Sequence, residues 1–290
     1  MRNAWWIGLW TVVHLGCGAP QDNAPYVDFG FLPENTLDRE DGMFRSNLSA
    51  EEFQSMIDKA YRAFEPVIAE RGATLSINGF WTQSKVNAEA KRNGSSWIVN
   101  LYGGLARRPE LTRDAFQIAI CHEVGHHLAG FPSTTNFFNK WASCEGQADY
   151  FAAHACARAL WRDELEQNAA IGELIEPAGK ELCDRAYQYP DEQKLCYRVL
   201  LAGKSVGEWF GGVGQVAFDT PEKKVVKTTD RGYPSGQCRM DTLTAGALCR
   251  KPADVHSTPQ TEAESALQIC GASDQDGLGA RPRCWFKPTL

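Results

Sequence analysis

Two histidines with a glutamate beside the first, His122-Glu123-Val124-Gly125-His126, carry the most specific chemistry in the chain. On a helix, positions i and i+4 share a face, so both imidazoles can reach one metal ion. Zn²⁺ held there would lower the pKa of a water from 15.7 to about 7, and Glu123 is placed to take the proton. A catalytic zinc needs a third protein ligand and an open fourth position. Cys144-Glu145-Gly146-Gln147-Ala148-Asp149 offers one. Glu145 opens a second helix as the third ligand. Asp149, four residues on along the same face, is suited to hydrogen-bond the outer nitrogen of a ligand histidine. Direct ligation by Asp149 is the weaker alternative.

Other donors fit less well. His127 points about 100° away from His126 on a helix and is expected to line the cleft or orient a loop. His154 falls on nearly the opposite helix face from Glu145 and reads as a surface or packing residue. Cys121 immediately precedes His122 and projects off the ligand face, so it is not expected to bind metal.

The elements that must position these groups are also legible. Leu111 to Ala129 reads as a long helix, with Thr112 as N-cap and Gly130 just past its end. Its first half, Ala115-Phe116-Gln117-Ile118-Ala119-Ile120, is apolar, which implies burial. Two histidines and a glutamate buried without a metal or close partners would be costly. A second helix is expected from about Ser143 to Trp161. Upstream, Ser49-Ala50-Glu51-Glu52 is a capping box. It opens a helix whose apolar residues Phe53, Ile57, Ala60, Phe64 and Ile68 recur at helical spacing until Gly72. Residues 74–81 alternate as a half-buried strand, and 96–101 form a second after the Asn93-Gly94 turn. Helical segments continue to about Gly207. Beyond it the texture turns Gly-rich and irregular. The organisation read from this is a 1–17 signal, an 18–45 linker, a 46–207 catalytic domain, and a 208–290 cysteine-containing portion packed on that domain.

The chain has 290 residues, ten cysteines and a net charge of −6. That balance gives no reason to expect nucleic acid as a partner. Arg2 precedes an apolar stretch, Ala4 to Gly16, too short to span a bilayer as a helix but suited to a signal-peptide core. Leu15-Gly16-Cys17 is similar to a bacterial lipobox, so export ends either in ordinary cleavage or in a lipid on Cys17, the only membrane attachment expected. No C-x-x-C pair is present, and the cysteines read as disulfides of an oxidising compartment, periplasmic, outer-membrane-anchored or secreted. The spacings Cys183–Cys196, Cys238–Cys249 and Cys270–Cys284 suit local loops, although spacing alone does not fix connectivity. With Cys17 set aside nine remain, and Cys121 is the candidate free thiol.

His-Glu-Val-Gly-His followed by Glu-Gly-Gln-Ala-Asp resembles the gluzincin pattern, specifically the HtpX peptidases and CAAX prenyl proteases. Val86-Asn87-Ala88, Gly94, Ile98-Val99 and Gly104-Leu105 extend the resemblance, which covers roughly residues 50 to 160. It implies a zincin-like α+β fold, mostly helical with a small sheet beside the motif helix. It also implies that residues 86–105 supply a strand edging the cleft, able to hold a peptide by β-addition. Family members carry a His-Pro segment and a later Arg; here Tyr233-Pro234 and Arg239 stand in their place. The resemblance therefore implies that Arg239 orders the site and that the Tyr233 hydroxyl donates to a tetrahedral oxyanion. The function expected is a zinc-dependent endopeptidase acting on proteins, with Glu123 as general base. The rival expectation is a non-catalytic zinc-containing envelope lipoprotein that binds a partner.

Overall fold

The computed structural model describes residues 29–38, 48–134, 140–274 and 277–289. The expected export signal with Cys17 lies outside them. Ser49 caps α1 (Ala50–Ala69) as the box predicts: its hydroxyl accepts from the Glu52 N–H, and the Glu52 carboxylate accepts from the Ser49 N–H. The apolar stripe of α1 is buried against a four-stranded sheet. The order is β1 (Phe29–Gly30), β3 (Ala88–Asn93), β4 (Ser96–Tyr102), β2 (Thr74–Phe80). β2 runs parallel to β4; β3 is antiparallel to β4 and to β1. β3 and β4 form a hairpin closed where Gly94 takes φ +57°, a conformation that glycine adopts freely.

After a short turn of helix, α2 (Gly103–Ala106), comes the motif helix α3 (Arg113–Leu128). Thr112 caps it, accepting from the Ala115 N–H. From Ala115 to Leu128 every residue is buried, so α3 is the central rod of the molecule. The helix expected over 143–161 is present with a π-helical insert: α4 (Glu145–Phe151), the π segment Ala152–Cys156, and α5 (Ala157–Trp161). A layer of α6 (Leu165–Gly172), α7 (Pro177–Ala186) and α8 (Pro190–Gly211) follows. About 49% of the chain is helical against these short strands, so the class is α+β.

Three expectations are corrected. Residues 29–38 of the supposed linker join the fold, for β1 pairs with β3 and Phe31 and Leu32 are buried in the main core. The 208–290 portion is more regular than its texture suggested: α9 (Gly236–Leu248) lies buried against α4, the π segment and α8, and α10 (Glu262–Gln268) follows. α9 is covered on most sides, so it shows no amphipathic period to read.

Cysteine pairing is the third. Cys121, the expected free thiol, is bonded to Cys156, and Cys144 is the free cysteine among the described residues. Cys121 does point off the ligand face, and what it meets there is the π segment. Cys183–Cys196 pairs as the spacing suggested. Cys238 and Cys249 cannot pair, because they sit at opposite ends of α9, about 16 Å apart along a helix of this length. They bond instead to Cys284 and Cys270. Four disulfides are compatible with an exported protein. Among the described residues no helix is long and apolar enough to cross a membrane.

Candidate metal centre

α3 presents His122 and His126 one turn apart, their rings 4.7 Å between centroids and perpendicular. α4 reaches them because Gly125 lets the two helices touch; a Cβ there would sit 3.0 Å from the Ala148 carbonyl oxygen. This approach sets Glu145, first residue of α4, over both imidazoles. Its carboxylate oxygens stand 3.2 Å from His122 Nε2 and 3.7 Å from His126 Nε2. His122, Glu123 and His126 form a group that could hold a metal ion, their ligand atoms lying within 4.8 Å of one another.

The outer nitrogens define the tautomers. His126 Nδ1 lies 2.8 Å from the Ser143 carbonyl, which can only accept, so this nitrogen carries the proton and Nε2 turns a lone pair inward. His122 Nδ1 lies 2.7 Å from Asp149 Oδ1 and donates to it by the same logic. Asp149 is held in turn by Arg239, whose Nε and Nη2 donate at 2.9 and 2.7 Å. Burial alone would raise the Asp149 carboxyl, but Arg239 and His122 outweigh it and bring it down to about 2. A fixed anion behind a histidine strengthens that histidine as a donor.

Burial also acts on the inward groups. It pushes the Glu123 carboxyl up to about 8, with His122 pulling the other way and Glu145 adding to the rise. It lowers His126 to about 4, which keeps that imidazole neutral. Burial would likewise lower His122, but Asp149 and Glu145 carry it up to about 9. His122 Nε2, His126 Nε2, Glu145 Oε2 and both oxygens of Glu123 are buried, yet none has a hydrogen-bond partner. Buried polar atoms are nearly always satisfied, so five orphans converging on one point call for a missing partner. Two ligands about 2.0–2.1 Å from a shared tetrahedral ion stand about 3.4 Å apart, and the 3.2 Å between His122 Nε2 and Glu145 Oε2 is close to that value. The donors present fit zinc.

The remaining residues singled out from sequence fall into place around this cluster. Tyr233 lies on the strap before α9 and lines a cleft of about 640 Å³ together with Glu145 and Asn87. Its hydroxyl donates to the Gly30 carbonyl at 2.8 Å, and burial and then Glu145 and Glu123 raise its pKa, keeping it a donor. Arg239 does not line that cleft; it is fully buried, paired with Asp149 and donating to the Phe31 carbonyl. His127 is buried between Trp97 and Trp141 and ties α3 to β4, with Nε2 donating to the Ile98 carbonyl at 3.2 Å. His154 is the packing residue expected, its Nε2 donating to the Lys251 carbonyl at 2.9 Å.

Three participants escaped the sequence reading. Ser143 acts through its backbone carbonyl, which no side-chain pattern reveals. Phe31 sets its ring edge-on to His122 at 5.3 Å, and with Phe210 it flanks the Arg239 guanidinium. Neither phenylalanine belongs to a motif, and Phe31 sits in a stretch with loop-like composition. No protein-family model, curated protein or solved structure matches the chain.

Proposed function

We propose that this chain is a zincin-like, zinc-dependent endopeptidase that hydrolyses peptide bonds of protein substrates. The observation that carries the reading is the convergence of orphaned buried donors, His122 Nε2, His126 Nε2 and Glu145 Oε2, beside an equally orphaned Glu123 carboxylate. His122, His126 and Glu145 hold the ion. When bound, zinc supplies Lewis acidity, lowering the pKa of a water to about 7 and polarising a carbonyl. Glu123 is left over as the general base: it takes the proton of the attacking water and returns it to the leaving amine. A purely structural site would have no use for that second carboxylate. Tyr233 serves as a donor for the developing oxyanion once its hydroxyl, which donates to the Gly30 carbonyl, is released. Asp149 and Arg239 position His122. The disulfides and the signal-like start of the chain support work outside the cytoplasm.

The test is zinc content by elemental analysis on wild type, Glu123→Gln and Glu145→Ala, with unfolded casein as substrate. One zinc per chain is expected in the first two and little in the third. Glu123→Gln should lose about 10²–10⁴-fold in hydrolysis. A fully active Glu123→Gln, or full zinc content in Glu145→Ala, overturns the assignment.

A further inference from the structure

We propose that Gly30–Leu32 occupies the groove in which a peptide substrate must lie, so that this segment is a built-in pseudosubstrate whose release opens the site. The inference rests on the peptidase reading and names the substrate feature that its groove selects.

The segment enters as an added strand, antiparallel to β3, with Phe29 opposite Ala90 and Gly30 opposite Glu89. Added strands are a general way to hold a peptide, because backbone groups carry the binding whatever the sequence. Beyond Gly30 the ladder passes to side chains. The Gly30 carbonyl accepts from the Tyr233 hydroxyl at 2.8 Å. The Phe31 N–H donates to the Ala88 carbonyl at 3.0 Å, and the Phe31 carbonyl accepts from Arg239 Nη1 at 3.0 Å. Asn87 grips both sides of Leu32: its Oδ1 accepts from the Leu32 N–H at 2.9 Å and its Nδ2 donates to the Leu32 carbonyl at 3.0 Å. All five backbone groups from the Gly30 carbonyl to the Leu32 carbonyl are thus taken by residues around the metal cluster.

The side chain follows the same logic. Phe31 is fully buried, edge-on to His122 at 5.3 Å and to Phe210 at 5.5 Å, in a pocket that ends at a metal-ligating residue. With the segment in place His122, Glu123 and His126 have no exposure at all, and only Glu145 touches the 640 Å³ cleft outside. No protein substrate can reach Glu123 in this state. A substrate that replaces the segment would place an aromatic residue where Phe31 now sits.

Two substitutions loosen the segment without altering any residue that faces the metal cluster. Gly30→Val puts side-chain atoms where even a Cβ would lie 2.7 Å from Asn87 Nδ2. Leu32→Pro removes the N–H that Asn87 accepts. Release of bound zinc to a colorimetric chelator should speed up at least about tenfold in both variants, and casein hydrolysis should rise with it. An eight-residue peptide with the sequence of residues 28–35 should restore slow release, and its counterpart with Asp in place of Phe31 should not. Native-state hydrogen exchange on the wild type supplies a measurement independent of any variant's folding. The Phe31 and Leu32 amides should exchange at least about 100-fold faster than those of Ile118 and Ala119 in α3. Protection equal to α3, or unchanged zinc release in folded variants, overturns the proposal; equal action of the two peptides overturns the aromatic pocket. Zinc release is read without substrate, so variants that exchange zinc freely yet cut nothing support the segment's role and overturn the peptidase reading instead.

Discussion

Asp149 is the residue through which distant parts of the chain meet at the candidate metal centre. It takes the His122 proton on one oxygen and a bidentate guanidinium from Arg239 across both. Asp149→Asn keeps the shape but offers a weaker acceptor and loses the charge. Zinc affinity should fall about 10–100-fold, read by competition with a chelator, while the fold persists. Arg239→Gln acts differently, because it leaves a carboxylate buried without its cation. Unfolding in urea should show a loss of about 3–5 kcal/mol, larger than for Asp149→Asn. If Asp149→Asn leaves zinc affinity unchanged, the aspartate does not tune the histidine.

Among the elements, α3 and the α4–π–α5 rod carry the candidate ligands, His122 and His126 on one and Glu145 on the other. Gly125 sets how closely they approach, and the Cys121–Cys156 bond fastens their far faces. The bond closes a 35-residue separation, for which loop-closure entropy gives about 4 kcal/mol. Replacing both cysteines with serine should lower the urea-unfolding free energy by up to about that amount. Zinc stoichiometry at low temperature should not change, because neither sulfur faces the ligands. A double variant as stable as wild type would mean that packing alone holds the rod. The motif helices were legible because their signals are local: a cap, an apolar run, a four-residue repeat of donors. Which face of α3 meets which helix is a tertiary matter, and that is why Cys121 read as free.

At the scale of the whole molecule, a buried neutral histidine makes stability depend on acid. His154 is buried with its Nε2 on the Lys251 carbonyl; burial, and then the neighbouring Arg158, lower its pKa to about 3. Unfolded, a histidine titrates near 6.5, so between these values the unfolded chain binds the extra proton. The stability His154 supplies is therefore complete above about pH 6.5 and is lost as pH falls towards 3, at up to about 1.4 kcal/mol per unit. His154→Gln, which can still donate to Lys251, should lose less stability than wild type between pH 7 and 4.5 in urea unfolding. Equal losses would assign the acid sensitivity elsewhere.

The buried pair His122 and His126, its helix, and the helix that begins at Glu145 could be read from order and spacing, because helical periodicity alone places His122 with His126 and Glu145 with Asp149. The sequence could not show that Gly30–Leu32 packs beside the buried donor cluster: a two-residue strand in a stretch of prolines, glycines and asparagines has no period to detect, and its bonds run to Asn87, Tyr233 and Arg239 far along the chain. Nor could it show α9 as a buried helix or its cysteines as partners of Cys284 and Cys270. Chemistry that lies within one turn of helix is written locally. Whatever depends on which surfaces pack together exists only once the chain has closed on itself.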